Sequence, residues 1–229
     1  MDFSNLGSIR AKARWEKRNK PLINYIKNNH QQLSKEKARL IGFIMGDGSI
    51  TSLGKPLSLQ NHVVSFYPDD KVMLDLFLSD FEKLYLKKPT VKFLGTYYSA
   101  RVNSKSACDD LRSFGDFSSL NWKFPEKLHS REEKIEWLKA LFDCEAYVSH
   151  QDIRMQSVSK KGIESVQRLL NEFKINSKIY VYNRKNKNWN TNYILSIPRR
   201  SIQDYKRTIG FNNSKKQAKL DNLPACQNG

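Results

Sequence analysis

The sequence predicts an α/β fold of the α+β type, in which two pseudo-symmetric αββαββα repeats each contribute an antiparallel sheet to a concave saddle. Two observations predict this fold. An apolar helix that carries two small residues one turn apart and ends in an acid occurs twice, roughly 100 residues apart, which is about the length of one supersecondary unit. After each copy the hydrophobic pattern changes to a period of two, as in a hairpin, and then returns to a helical period.

The first of these helices lies within Leu40 to Ser49, which reads LIGFIMGDGS. Apolar residues lie on most of its sides, so the helix is expected to be buried rather than amphipathic. Gly42 and Gly46 share one face. Each glycine costs about 1 kcal/mol of helix propensity, so we expect another backbone to pack unusually close there. Asp47 follows that face, and Gly48 is expected to end the helix.

The second copy is Leu138 to Ala146, which reads LKALFDCEA. Ala140 and Cys144 replace the two glycines, and Glu145 stands where Asp47 stands in the first copy. This copy is the weaker match, with a lysine inside the helix and no glycine after the acid. Two such helices packed small face to small face would bring the two acids side by side. The expected helix interface consists of Gly42, Gly46, Ala140 and Cys144.

This pair of helices resembles the LAGLIDADG homing endonucleases, whose name is the motif. The resemblance covers residues 34–220 and is strongest at the two helices. It implies an enzyme in which each acid serves one strand of a DNA duplex and both strands are cut near the centre of a long site. The simpler interpretation, two ordinary core helices that contain small residues, leaves the shared period and the shared acid position unexplained.

The remaining elements follow the same order in both repeats. In the first repeat we expect a hairpin, a helix opened by Pro68 and Asp69, a second hairpin around Gly95 and a short helix. The second repeat adds a closing helix and a last short turn. The expected strands are residues 49–53, 57–66, 91–93, 97–103, 146–149, 153–158, 178–184 and 192–197.

A basic segment precedes the first repeat. Residues 9–18 are compatible with a helix that Pro21 is expected to end, and Ser34 is the expected N-cap of the helix that follows. This segment lies either on DNA phosphate or in solvent as a tail. The predicted domains are a basic arm at residues 1–35, a first repeat at 36–116, a linker at 117–134, a second repeat at 135–220 and a tail at 221–229.

Composition limits the partners of the chain. Lys and Arg number 40 against 23 Asp and Glu, a net charge of +17, which in a globular chain indicates a polyanion such as nucleic acid. No apolar run approaches the roughly 18 residues of a membrane span, and the N-terminus lacks a signal-peptide core, so no membrane partner is expected. Three scattered cysteines indicate a reducing, cytoplasmic location, with an organelle as the alternative. With the four histidines they form no zinc spacing.

Asp47 and Glu145 are the expected catalytic residues and metal ligands, and Gly46 and Cys144 complete the expected metal set. Two carboxylates in contact cannot both stay charged in a dry site unless a cation lies between them. Mg²⁺, or another divalent cation, suits two acids, water and phosphate. Such a metal can activate water for phosphodiester hydrolysis. The alternative interpretation, acids at helix C-termini in solvent, is disfavoured by the helix dipole.

The family resemblance adds a third catalytic residue. Related two-repeat proteins often place a lysine after the last helix of a repeat, which here indicates Lys216, with Lys215 as the alternate. Such a lysine would neutralise charge beside the cut phosphate. The first repeat departs from this pattern, because Ser118 falls where the lysine is expected and Lys123 is a weak substitute.

Polar and apolar residues alternate along the predicted strands, which places the polar residues on one face of each sheet. Arg and Gln read guanine and adenine edges in the major groove, where a two-stranded ribbon fits. The alternative is a solvated outer face, which is common in antiparallel sheets. The expected DNA-binding residues are Lys92, Tyr97, Ser99, Arg101, Asn103, Arg154, Gln156, Tyr180, Tyr182 and Arg184.

The sequence therefore predicts a monomeric, sequence-specific double-strand DNA endonuclease. Because the chain begins with Met and contains no splicing-domain blocks, we expect an intron-encoded or free-standing enzyme rather than an excised intein. The alternative is a nucleic-acid-binding protein without cleavage, such as an intron RNA maturase or a domesticated DNA-binding regulator. Retention of both acids argues against lost catalysis, although it leaves intron RNA open as a second partner.

Overall fold

The computed structural model describes residues 20–29, 32–53, 61–183 and 190–223, together with residues 13, 14 and 17. Within these residues two four-stranded antiparallel sheets follow each other along the chain, each with its own helices. The predicted α/β fold with two repeats is confirmed. In the described part of the chain, no helix has both the length and the apolar character that a membrane span requires.

The first repeat begins with the motif helix and ends with a short helix. Its sheet has the strand order β1-β2-β4-β3, and all of its pairs are antiparallel. Its elements are α1 (Ser34–Asp47), β1 (Gly48–Leu53), β2 (Asn61–Phe66), α2 (Lys71–Tyr85), β3 (Thr90–Phe93), β4 (Tyr98–Asn103) and α3 (Lys105–Arg112).

The second repeat has the equivalent strand order, β5-β6-β8-β7. The same order of elements in both halves is independent support for a duplication. Its elements are α4 (Arg131–Glu145), β5 (Ala146–Val148), β6 (Asp152–Ser157), α5 (Lys160–Glu172), β7 (Lys178–Tyr182), β8 (Asn192–Pro198), a 3₁₀ turn (Arg199–Ser201), α6 (Ile202–Thr208) and α7 (Ser214–Asp221).

The two motif helices pack directly on each other through their small residues. A Cβ placed on Gly42 would lie 2.6 Å from the Trp137 carbonyl oxygen and 2.8 Å from the Ala140 Cβ. One placed on Gly46 would overlap the Cys144 Cβ and lie 2.8 Å from its Sγ. Real Cβ atoms essentially never approach other atoms within 3.0 Å, so both glycines are required by the close approach of the two helices.

Gly48 ends α1 for a different reason from the one expected. Its backbone is extended, with φ −124° and ψ −176°, so the helix does not end through a left-handed residue. A Cβ there would lie 2.6 Å from the Ile44 Cα and 2.8 Å from the Ser65 carbonyl oxygen. Strand β2 therefore crosses the end of α1 at a distance that only glycine allows, and the chain turns directly into β1.

A buried ion network joins the repeats near the start of the helix pair. The Arg39 guanidinium on α1 donates to both carboxylate oxygens of Asp80 on α2, at 2.7 and 3.0 Å. It also donates to Glu136 on α4 at 2.6 Å. These bonds fix α1 against one helix of its own repeat and one of the other, so the angle between the repeats is held by charge as well as by packing.

Two predictions for the segment that leads into the first repeat, the N-cap at Ser34 and the helix end at Pro21, are wrong. Ser34 is the first helical residue and Leu33 is the N-cap, with no side-chain hydrogen bond to the helix end. Residues 20–28 are helical, so Pro21 does not end helical structure there. A proline is tolerated in the first turn of a helix, where its missing N–H has no intrahelical partner.

The charged run at the end of the predicted linker, residues 131–134, forms the first turn of α4. Ser130 accepts a hydrogen bond from the Glu133 N–H, and the Glu133 carboxylate accepts one from the Ser130 N–H. This capping box is the Ser-x-x-Glu signature of a helix start. The same connection packs on the second repeat, because the Trp122 ring covers Gly162, where a Cβ would lie 2.7 Å away.

Candidate functional site

The two acids of the motif helices lie at the same end of the helix pair. Asp47 is the last residue of α1, and Glu145 is the last residue of α4. A Cβ on Gly46 would lie 3.8 Å from the Glu145 Cγ, so Glu145 reaches the final turn of the opposite helix. Asp47 is exposed and Glu145 is half-buried. The structure thus brings the two predicted catalytic residues together at an accessible edge.

Burial and mutual repulsion both favour the protonated form of Glu145. Burial, and to a lesser extent the charge of Asp47, raise the pKa of Glu145 to about 7, against a lowering effect from Lys216. Burial also raises the pKa of Asp47, while a hydrogen bond with Cys144 and the charge of Lys216 lower it. Both carboxyls are therefore shifted towards their protonated forms.

The donor set at this edge fits a divalent cation. Two adjacent carboxyls whose pKa values are raised, chiefly by burial, are the pair that a bound cation would hold in the charged form. Among the described residues no group of three or more His, Cys, Asp and Glu side chains could hold a metal ion. The further ligands would therefore be water, main-chain oxygen or the substrate, as is usual for Mg²⁺.

The two other residues of the expected metal set differ in what they offer. Gly46 has no side chain, so only its main-chain oxygen could act as a ligand. The Cys144 thiol donates to the Phe43 carbonyl at 3.8 Å, and burial raises the pKa of this thiol well above its usual value, so it is not a metal-binding thiolate. The Cys144 carbonyl already accepts a hydrogen bond from Lys216 at 3.2 Å.

Lys216 lies at the C-terminus of α4, close to both acids. Its ammonium donates to the last carbonyls of the helix, those of Asp143, Cys144 and Phe142. A cation is favourable at a helix C-terminus because it faces the negative end of the helix dipole. Its charge also lowers the pKa of Asp47 and of Glu145. The alternate, Lys215, is exposed.

Asp143 organises the segment that carries Lys216, a role that the sequence analysis missed. This carboxylate is 1% exposed and accepts three hydrogen bonds: from the Asn212 N–H and side-chain amide, both at 2.8 Å, and from the Asn213 N–H at 2.9 Å. The Asn213 side chain in turn accepts from the Lys216 N–H and caps α7. The signal in the sequence was an acid that directly follows the apolar run Ala140 to Phe142 of this helix.

The same segment is also attached to the first repeat. Asp70, the N-cap of α2, accepts from the Val72 N–H at 2.9 Å and from the Ser214 N–H at 3.3 Å, and the Ser214 hydroxyl donates to it as well. The Asn213 amide lies 3.4 Å from the Met73 sulfur. Lys216 is therefore held by contacts from both repeats and not by its own helix alone.

The corresponding corner of the first repeat is different. Met45 occupies the position of Asp143, and a Cβ on Gly115 would lie 3.8 Å from the Met45 Cε. The basic group there is Arg112, which donates to the Ser52 hydroxyl at 3.1 Å and to the Ile50 carbonyl at 3.3 Å. A cavity of about 460 Å³ adjoins it, lined by Ser49, Ile50, Arg112, Gly115, Asp116, Phe117 and Ser118. Lys123 instead forms an ion pair with Glu126.

Most of the side chains expected on the open faces of the sheets are exposed. The exposed ones are Lys92, Tyr97, Arg101, Asn103, Arg154, Gln156, Tyr180 and Tyr182.

The remaining predicted DNA-binding residues, Ser99 and Arg184, and two apolar residues of β3 differ from this pattern. Ser99 shares the face of its strand but is only 7% exposed, because alternation gives the face of a residue and not the neighbours that cover it. Val91 and Phe93, expected opposite Lys92, are also exposed, since β3 is an edge strand. Arg184 lies outside the described residues.

Comparison with protein families finds one match in the second half of the chain. Residues 132–210 match the family model described as the LAGLIDADG-like domain. This range contains α4 with Glu145, the second sheet and α6.

Several solved structures have the same fold. Mesophilic variants of the homing endonuclease I-DmoI align with a TM-score of 0.63 and 22% identity, over 77% of this chain and 91% of that chain. I-DmoI in complex with DNA and Mn gives the same TM-score and identity. The homing endonuclease I-WcaI bound to its DNA recognition sequence gives 0.55 at 17% identity, over 85% of this chain and 91% of that chain.

Curated relatives from Methanocaldococcus jannaschii carry unrelated names. The glutamine–fructose-6-phosphate aminotransferase (isomerizing) is 28% identical over 197 residues, which are 81% of this chain and 17% of that protein. The replication factor C small subunit is 23% identical over 203 residues, which are 86% of this chain and 10% of that protein. This chain thus spans between 10% and 17% of the length of the relatives it matches. These proteins therefore share with this chain a segment of sequence and not the activity in their names.

Proposed function

We propose that this chain, which has the two-repeat fold of the LAGLIDADG homing endonucleases, is a sequence-specific DNA endonuclease that hydrolyses one phosphodiester bond in each strand of a duplex. The observation that carries the proposal is the pair Asp47 and Glu145, side by side at the ends of two helices that are packed through glycine. No structural requirement of the helix pair explains two acids there, since a negative charge at a helix C-terminus is unfavourable.

Binding would come from charge and from the open faces of the sheets. A net charge of +17 attracts the duplex and makes affinity strongly dependent on salt. The exposed Arg, Lys, Gln and Tyr side chains of both sheets would then contact bases and phosphates in the grooves, with the helix ends at the centre of the bound site. Because both acids come from one chain, the proposed enzyme acts as a monomer.

Each side chain at the centre has a proposed chemical role. Asp47 and Glu145 would hold Mg²⁺ or another divalent cation, with further ligands from water and phosphate. When bound, such a cation activates water and stabilises negative charge on phosphate. The pKa of Glu145 is raised to about 7 in the metal-free site, and both the charge of Lys216 and a bound cation would favour its ionised form. The Lys216 ammonium would balance the charge that develops on phosphate.

The alternative of a non-cleaving nucleic-acid-binding protein is less well supported. The fold alone does not decide between them, since full-length DUF199/WhiA from Thermatoga maritima, not described as an endonuclease, aligns with a TM-score of 0.52 at 14% identity. The retained acids and the lysine beside them favour cleavage. Intron RNA gains no support as a partner, because the complexes among the similar structures are described with DNA.

The test uses a plasmid that carries the fused sequences flanking the gene for this chain. We expect a linear product when Mg²⁺ is present, and no product with Asp47→Asn or after chelation of the metal. The matched control is Asp75→Asn, which removes the same charge from an exposed pair with Lys71 on α2 and should cut normally. Tight, specific binding without a cut under Mg²⁺, Mn²⁺ and Ca²⁺ would refute the proposal and support the alternative.

A further inference from the structure

Asp152 and Arg154 lie next to each other on the open face of the second sheet. Their neighbours on β6, Ile153 and Met155, are 0% and 1% exposed and face the core, so the even-numbered residues face away from it. The strand register places Arg154 between Tyr147 on β5 and Ser196 on β8. Arg154 is thus in the middle of the sheet face and not at its edge.

The Asp152 carboxylate is built into this face. The residue is 6% exposed, and the carboxylate accepts hydrogen bonds from the Ser149 hydroxyl at 2.7 Å and from the Ser196 hydroxyl at 2.8 Å. It also accepts one from the Arg154 Nε. Burial favours its neutral form, but these bonds hold the pKa of Asp152 below its usual value, so it is charged when Arg154 meets a ligand.

This contact fixes the orientation of Arg154 without using the end of its guanidinium. The bond to Asp152 is made by Nε, and the Arg154 side chain remains 56% exposed. The edge formed by Nη1 and Nη2 is the fork that donates two parallel hydrogen bonds to a ligand with two adjacent acceptors. A side chain that is already oriented also loses less conformational freedom on binding.

A phosphate is the less suitable ligand for this arginine. The negative charge of Asp152, next to the guanidinium, repels an anionic phosphate. The same charge disfavours the neutral edge of a base much less. In the major groove, guanine presents two adjacent acceptors, O6 and N7, and no donor. Resting on the proposed function, we infer that Asp152 is a positioning residue that holds Arg154 for bidentate recognition of one guanine.

Within the described residues of the first sheet, the two positions equivalent to this pair carry other side chains. Gly48, which follows Asp47, pairs with Phe66, just as Ala146, which follows Glu145, pairs with Met155. This register makes Ser65 the counterpart of Arg154 and Val63 the counterpart of Asp152, and both are buried. The preferred guanine therefore lies in the half of the DNA site that the second sheet covers.

The test is selection of duplexes from a randomised library without divalent cation, followed by affinity measurements on the selected duplex and on versions with single guanine-to-adenine changes. We expect one guanine whose replacement weakens binding about tenfold or more. Arg154→Lys keeps the charge but not the fork, so it should lose most of that preference while its salt dependence is unchanged. A full guanine preference in Arg154→Lys overturns the inference.

Asp152→Asn separates positioning from charge. Removing an acid from a basic protein should strengthen or preserve binding to unrelated DNA, while the guanine preference falls several-fold. Asp204→Asn, at an exposed pair with Arg207 on α6, removes the same charge and should keep the preference. If Asp152→Asn does not fold, Arg154→Lys still tests the inference, because that variant keeps the hydrogen bonds from Ser149 and Ser196 to Asp152. If no sequence is enriched by the unmodified chain, the proposed function fails together with this inference.

Discussion

At the scale of single residues, the site is defined by charges that burial and neighbours control. Burial and the charge of Asp47 raise the pKa of Glu145, burial raises the pKa of Asp47, and the charge of Lys216 lowers both. Asp143 is buried beside them but is occupied by main-chain and amide donors. The acids at the helix ends can therefore take part in chemistry, whereas the neighbouring acid acts in structure.

The stability of the metal-free protein should depend on the proton that Glu145 takes up on folding. An unfolded glutamate titrates near pH 4.3, but in the folded protein the pKa of Glu145 is about 7. Its favourable contribution is thus complete below the unfolded pKa and is lost as pH rises through about 7, so the free energy of unfolding should fall over this range. Urea unfolding at several pH values, with Glu145→Gln for comparison, measures this effect. An unchanged slope in Glu145→Gln would contradict the assignment.

Lys216 should matter for both stability and cleavage, unlike the lysine next to it. Lys216→Met removes a cation from the C-terminus of α4, which we expect to cost about 1 kcal/mol of unfolding free energy. It should also lower the single-turnover cleavage rate, because charge near the phosphate is lost. Lys215→Met, at an exposed position, is the control and should change neither quantity appreciably. Equal rates for the two variants would rule out a catalytic role for Lys216.

At the scale of elements, the close packing of α1 on α4 explains both the glycines and the position of the acids. Glycine is unfavourable inside a helix by about 1 kcal/mol, yet Gly42 and Gly46 leave no room for a methyl group. The adjacent edge strand β3 shows the opposite case, where apolar residues remain exposed because no helix covers them. The neighbouring elements, and not the helix or strand propensity of the residues, therefore explain both the glycines in α1 and the exposed apolar residues of β3.

Gly46→Ala should destabilise the helix pair in a way that its partner can relieve. The new methyl group would overlap the Cys144 Cβ, and overpacking of this kind costs about 1–3 kcal/mol. Cys144→Gly removes that atom, so the double variant should recover part of the loss in unfolding free energy. A double-mutant cycle measures the coupling. Strict additivity of the two changes would show that the helices separate more easily than the structure indicates.

The buried Lys37 should hold α1 against α3. This ammonium is 1% exposed, forms an ion pair with Asp110 and donates to the Tyr85 hydroxyl at 3.0 Å. Lys37→Met leaves the carboxylate without its cation inside the protein, so we expect a loss of roughly 3 kcal/mol in chemical denaturation. Lys35→Met, at an exposed position of the same helix, should stay within about 0.5 kcal/mol. A similar small loss for both would show that Asp110 is solvated.

At the scale of the whole molecule, the two repeats share a fold but carry different side chains at the ends of their motif helices. The second half has Glu145, Asp143 and Lys216 at the end of α4, whereas the first has Asp47 and Met45 at the end of α1, and its Arg112 donates to β1. The two sheets differ as well, since Arg154 on the second is held by Asp152, whereas the equivalent positions of the first sheet are Ser65 and Val63. The two repeats thus differ at the ends of the motif helices and on the open faces of their sheets.

This asymmetry should make the two strand cuts unequal in rate. We expect supercoiled plasmid to pass through an open-circular, nicked form before the linear product appears. A time course with each strand labelled at its own end would identify the strand that is cut first. Lys216→Met should change the rate for one strand more than for the other, whereas simultaneous loss of both strands would indicate that the two halves act as one unit.

The sequence by itself determined the local features of this protein: the repeated helices, the order of strands, the two acids and the excess of basic charge. These depend on periodicity, glycine spacing and composition, which are properties of neighbouring residues. Only the tertiary structure decided that Asp143 holds the Lys216 segment, that Ser99 is covered and that Asp152 orients Arg154. The first two depend on residues far apart in the chain or on the neighbours that cover a strand, and the third depends on Ser196, which is far along the chain and donates to Asp152. No local pattern encodes such contacts.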